Sequence, residues 1–196
     1  MLWDLYQIGK QWWPGHADIY EILDYEASLE LLDPQGEKAI FRKRQKVKFL
    51  QNNIIAFEDY AWGDGDILAA YRCAPGVVVD KYQEGDRWNI LISLRETKSK
   101  GDIEEFNIER IEHGAFTQAE EWLQTEIRRR TRRLKMSIVF PRERPCQRAI
   151  VQQRTHNRVI ALGSEHLHHL PDGRQRLQWE TNQVQPYELY TIRWWS

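Results

Sequence analysis

Between Arg87 and Glu96 the chain places Trp88, Ile90, Ile92 and Leu94 at every second position, the period of a strand with one face on a core. Leu91 adds apolar weight to the opposite face. Lys98-Ser99-Lys100-Gly101 follows, and its glycine, free to take positive φ, predicts a hairpin into a second extended run that carries Phe106 and Ile108. Similar alternation recurs on both sides. Upstream, Ile19 to Leu32, Lys38 to Leu50, Ile54 to Tyr60, Ile67 to Arg72 and Val77 to Val79 read as strands. They are parted by Asp33-Pro34-Gln35-Gly36, Asn52-Asn53, Trp62-Gly63-Asp64-Gly65-Asp66 and Pro75-Gly76, all with turn chemistry. Downstream, Leu134 to Phe140, Arg148 to Gln153, Arg158 to Leu162, the stretch holding Leu177 and Trp179, and Tyr190 to Trp194 repeat the pattern.

Two stretches read differently. Met1 to Trp13 spaces Leu2, Leu5, Tyr6, Trp12 and Trp13 close to a helical period before Pro14-Gly15, which predicts a short amphipathic helix. Thr117 to Leu134 carries a capping-box pattern at its start, yet Leu123, Thr125 and Ile127 alternate. The strand-rich surroundings favour a strand there. The expected fold is mainly β, an antiparallel β-sandwich of two packed β units with at most one or two short helices. Residues 1–16 form the N-terminal segment, 17–114 the first unit and 115–196 the second.

Composition narrows the class. Of 196 residues, 41% are hydrophobic and 29% charged, enough apolar side chains for a packed core. Nine Trp, eight Tyr and six Phe suit strands and interfaces. The only two cysteines, Cys73 and Cys146, argue against a disulfide scaffold and fit a reducing compartment. No apolar run approaches the ~18 residues of a membrane span, and the N-terminus lacks the basic and apolar regions of a signal peptide. A cytoplasmic chain without membrane association is expected.

The net charge of −1 hides a segregation. Arg42, Lys43, Arg44, Lys46 and Lys48 crowd one early strand. Arg128, Arg129, Arg130, Arg132 and Arg133 open a stretch to Arg158 that is almost free of acids. Such groups can hold phosphates or carboxylates through charge-assisted bonds. The plain alternative is that they pair with the chain's own acids, such as Glu104, Glu105, Glu109 and Glu112. The neutral balance and the lack of a nucleic-acid motif favour that alternative.

Reactive constellations are few. Glu165-His166-Leu167-His168-His169 would put His166 and His168 on one strand face, but the set is incomplete for zinc, and an exposed loop is the simpler account. Glu58-Asp59 and Asp64-Gly65-Asp66 are acidic, with ordinary turn chemistry and no calcium-loop spacing. Cys146 lies among arginines that would lower its pKa, although a buried thiol is commoner. There is no nucleophile elbow and no phosphate or dinucleotide glycine loop. No cofactor is expected.

The sequence therefore points to a non-enzymatic interaction or regulatory module of sensor type, binding a protein partner or effector domain. In this reading Trp3, Trp12 and Trp13 bury against a partner or across a domain interface, and the Arg128–Arg133 run steers an acidic partner toward it. Two other readings stand beside it. One is binding of nucleic acid or an anionic ligand through Arg42, Lys43, Arg44, Arg128, Arg129, Arg130, Arg132 and Arg133. The other is a metal-dependent hydrolase centred on the 165–169 histidines. Self-association is compatible with all three.

Overall fold

The computed structural model describes residues 18–196, so the Trp3, Trp12 and Trp13 segment lies outside the described residues. The chain is mainly β and sandwich-like, as the alternation predicts. Seven strands precede residue 115: β1 Tyr20–Leu31, β2 Lys38–Phe49, β3 Ile54–Ala61, β4 Asp66–Ala74, β5 Val77–Glu84, β6 Arg87–Lys98 and β7 Ile103–His113. Seven follow it: β8 Glu120–Glu126, β9 Leu134–Phe140, β10 Arg148–Gln153, β11 Arg158–Leu162, β12 Leu167–His169, β13 Gln175–Thr181 and β14 Leu189–Trp195. Of the ambiguous stretch, Glu120–Glu126 forms the strand β8, and residues 127–133 lie outside the named strands. The one helical element among the described residues is a 3-10 turn, Ser164–His166.

These strands make three sheets. A seven-stranded sheet runs β12-β13-β9-β1-β2-β7-β4, a four-stranded sheet β11-β10-β14-β8, and a three-stranded sheet β3-β6-β5. The large sheet draws strands from both sides of residue 115, joined where β1 runs parallel to β9 with Ala27 opposite Met136. That parallel pair departs from the purely antiparallel arrangement expected.

The predicted hairpin between β6 and β7 does not form. β6 lies between β3 and β5, with Ile90 opposite both Asp59 and Lys81, so neither of its edges is open to β7. After the turn the chain bonds to the end of β2 instead: the Gly101 N–H donates to the Phe49 carbonyl, and the Phe49 N–H to the Asp102 carbonyl. β7 then runs along β2, with Phe106 opposite Gln45. The turn is a crossing from one sheet to another.

Alternation decides which face of the large sheet is covered. In β1 the buried residues include Tyr25, Ala27, Leu29 and Leu31, and in β2 they include Ala39, Phe41, Val47 and Phe49. This face is shared by the two smaller sheets. Phe57 of β3 stacks on Phe106 of β7 with ring centroids 4.0 Å apart. At the other end Trp194 of β14 meets Phe140 of β9 edge-on at 5.9 Å, and Tyr190 of β14 meets Trp179 of β13 at 5.6 Å. Aromatic pairs at these separations add to the stabilisation from buried area. The β1–β2 turn depends on Gly36 (φ 74°), where a Cβ would run into the Phe116 carbonyl.

Candidate binding surface on the open sheet face

The other face of the seven-stranded sheet carries the chemistry. Because side chains alternate, the residues between the buried ones all emerge on this side. Register then sets them in rows. Gln178, Ser137, Ser28, Arg42, Glu109 and Arg72 lie opposite one another from β13 to β4. The next row holds Glu180, Lys135, Glu26, Arg44 and Asn107. The first row, with Lys135, Glu26, Arg44 and Asn107 of the second and with Glu30, Val139, Arg174 and Arg176, lines a trough of about 740 Å³. Ser28 and Ser137 face each other across the β1–β9 pair within it.

Each acid in the trough is shared between guanidinium groups. Glu30 accepts from Arg42 Nη1 at 2.8 Å and from Arg174 Nη1 at 2.6 Å. Glu109 accepts from Arg42 Nε at 2.9 Å and from Arg72. Glu26 accepts from Arg44 Nη2 at 3.0 Å and Arg133 Nη1 at 3.1 Å. The Arg42 bond is the chief cause holding the Glu109 carboxyl below the ordinary range. At Glu30, burial works the other way and the arginine bonds outweigh it. All three stay anionic.

The structure spreads the sequence-selected cations over different surroundings. Arg42 and Arg44 line the trough, but Lys43 points the other way, buried between sheets with its ammonium on the Asp59 carboxylate. The Tyr71 hydroxyl donates to the second oxygen of Asp59 at 2.8 Å. Burial opposes the Lys43 charge, yet Asp59 outweighs it and the ammonium is held above its ordinary pKa. By sequence Asp59 belongs to a local acidic group with Glu58. The usable signal was phase, because Lys43 falls in step with Ala39, Phe41, Val47 and Phe49.

The Arg128–Arg133 run is bound along β1 and its neighbours. Arg128 bonds Glu126 at 2.8 Å and lies 4.2 Å over the Tyr60 ring, while Arg129 meets Asp18 at 3.4 Å and lies over Tyr20. Arg132 bonds Glu21 at 2.7 Å, Arg130 stands 3.9 Å from the same carboxylate, and Arg133 reaches Asp24, Glu26 and Glu180. The acids named in the sequence also pair: Glu105 with Arg44, Glu109 with Arg42, Glu104 with Lys98 and Glu112 with Arg110.

His166 sits in the 3-10 turn and His168 in β12, so the two do not alternate along one strand. No group of three or more His, Cys, Asp or Glu among the described residues is placed to hold a metal ion. Burial pushes the Cys146 thiol up to about 11, the reverse of the lowering that its arginine neighbours suggested. No helix among the described residues is long and apolar enough to cross a membrane.

Fold and surface together define a sandwich-like β domain with one large sheet face left open, among the described residues, as a charged trough. No protein-family model matches the sequence, and no curated protein matches it. Solved structures do share the fold. A mutant M1 zinc metallopeptidase from Deinococcus radiodurans, bound to a Tyr-Ser-Ala substrate, matches 89% of this chain and 42% of its own, with TM-score 0.54 and 9% identity. The M1 zinc metallopeptidase from the same organism matches the same shares at TM-score 0.52 and 10% identity. A structure described as a two-domain M1 zinc metallopeptidase mutant bound to L-tryptophan matches 91% of this chain and 43% of its own, at TM-score 0.52 and 10% identity. At such identities the likeness is one of fold alone. The chain spans about 42% of the length of the first of these structures.

Proposed function

We propose that this chain is a non-enzymatic interaction module whose open sheet face receives a protein partner, working beside a separate effector unit. The observation that carries the reading is the trough between β4 and β13, roomy, lined by many charged side chains and built on paired strands. A surface on a rigid sheet presents its groups in fixed positions, which favours recognition over induced fit. The peptidases that share the fold carry it within a longer chain, in one case described as two-domain, and this supports an accessory role. Regulation of the effector through the docked partner is part of the proposal.

The test is steric. Asn107 and Gln178 line the trough at partly or fully exposed positions, so Asn107→Trp and Gln178→Trp fill it without entering the core. A protein retained by the wild-type chain in affinity capture and lost by both variants supports the reading. Equal recovery by all three, or metal-dependent hydrolysis of aminoacyl anilides by the purified chain, overturns it.

A further inference from the structure

The trough is unequal in charge. Six cations line it on the open side, Arg42, Arg44, Arg72, Lys135, Arg174 and Arg176, against the three acids Glu26, Glu30 and Glu109. Beyond the lining, Arg44 also holds Asp24 and Glu105 and Arg174 holds Asp172, so the donors left over are those of Arg176 and Lys135 and the unspent N–H groups of Arg42 and Arg72. An arginine has five N–H donors, and Arg42 spends its Nε and Nη1 on acids while Arg72 spends one Nη2. Arg176 has no ion pair among the described residues and is exposed. Lys135 lies in register between Glu26 and Glu180 and makes no ion pair within the described residues.

We infer that the occupant of the trough is an acidic, extended polypeptide segment, read by these surplus cations. This deepens the proposed function and rests on it. Three observations select the chemistry. The excess of cations calls for carboxylates or phosphates, which guanidinium groups bind as charge-assisted pairs. From β4 to β13 are five strand steps, ~24 Å at the usual strand spacing, which admits roughly seven residues of extended chain. Neutral groups, Ser28, Ser137, Asn107 and Gln178, lie among the charges and can bond a peptide backbone.

A nucleic-acid strand fits less well. It carries a charge on every unit and would lay some phosphates against Glu26, Glu30 and Glu109. A polypeptide can keep neutral residues over those acids and place its own carboxylates on the cations. The segment is thus one with spaced rather than continuous negative charge.

Fluorescence anisotropy on the full chain tests this, with a labelled peptide of alternating Glu and Ser as probe. The probes for comparison are its Gln–Ser counterpart and a single-stranded oligodeoxythymidine of similar length. The Arg176→Glu, Lys135→Gln double variant removes two trough cations that make no ion pair among the described residues, and its urea transition reports whether it folds. Arg158→Glu with Lys100→Gln makes the same charge change away from the trough. Glu–Ser binding that falls with salt, is weakened ~10-fold or more by the trough variant and is spared by the control supports the inference.

Glu–Ser binding equally weakened by the control, no preference over Gln–Ser, or tighter binding of the oligonucleotide overturns it. If the acidic probe fails while the tryptophan variants still lose a captured protein, the inference falls and the interaction module stands. If both fail, the module itself is wrong.

Discussion

Lys43 of β2 and Asp59 of β3 join two sheets: the ammonium rests on the carboxylate, with side-chain exposures of 7% and 0%. The pair crosses from the seven-stranded to the three-stranded sheet, and the Tyr71 hydroxyl of β4 completes it from the large sheet. Elsewhere the two sheets meet through apolar groups such as Phe57 and Phe106. A buried ion pair adds little net stability compared with a hydrophobic replacement, but it makes any other docking of the sheets costly, because both charges would be left bare.

Removal of one partner is therefore the damaging change. Asp59→Ala strands a buried ammonium and is expected to cost about 3–5 kcal/mol in urea unfolding. The double replacement Lys43→Met, Asp59→Leu removes both charges and is expected to be more stable than Asp59→Ala alone. A double variant weaker than the single would show that the pair acts through something besides its charge.

Tyr71→Phe isolates the hydroxyl. It keeps the ring but takes a donor from a buried carboxylate, so a loss of about 1–3 kcal/mol is expected. Burial, and then Asp59, raise the pKa of Tyr71, which stays a neutral donor at physiological pH. An unchanged unfolding midpoint would mean that another donor replaces it.

Glu188 gives a pH dependence of known sign. It is fully buried just before β14 and accepts from the Thr155 N–H at 2.7 Å, the Leu189 N–H at 2.8 Å and the His156 N–H at 3.2 Å, with His156 Nδ1 at 2.5 Å. Burial pushes its pKa up, but the His156 and amide bonds outweigh it and leave the carboxyl below the ordinary 4.5. A carboxyl depressed in the folded state contributes stability that is present above its unfolded value and is lost as pH falls through the folded one. Glu188→Gln is expected to be less stable than wild type at neutral pH and to show a shallower loss between roughly pH 5 and 3. Parallel acid titrations of the two proteins would refute this.

The arginine run is expected to resist trypsin in the native state. An exposed stretch of arginines invites cleavage, but here the Ile22 N–H donates to the Arg130 carbonyl, the Arg132 N–H to the Ile22 carbonyl and the Tyr25 N–H to the Arg133 carbonyl. Cleavage between Arg128 and Arg133 is expected to follow global unfolding and to slow when the protein is stabilised. Rapid native cleavage there, unaffected by stability, would mean that this edge opens by itself.

How much was legible from sequence follows from range. The positions of nearly all strands could be read, because a period of two and the turn residues that end it are properties of neighbours along the chain. The short β12 and the 3-10 turn beside it escaped, being too brief to show a period. The buried place of Lys43 was present in the phase of β2. The acid it meets was not, since Asp59 comes from another sheet.

What the sequence determined alone is thus local: mainly β structure, which side chains share a strand face, and an even balance of charge with dense basic stretches. Tertiary structure decided the rest. Strand pairing runs through backbone groups that are alike at every residue, so the pattern of β6 and β7 could not tell a hairpin from a crossing between sheets. Only when β13, β9, β1, β2, β7 and β4 lie side by side do Arg176, Arg42 and Arg72 face one trough, and only then do Glu30 and Glu109 become bridges between arginines distant in sequence. The charges belong to the sequence; their excess at one surface comes from the pairing of the strands.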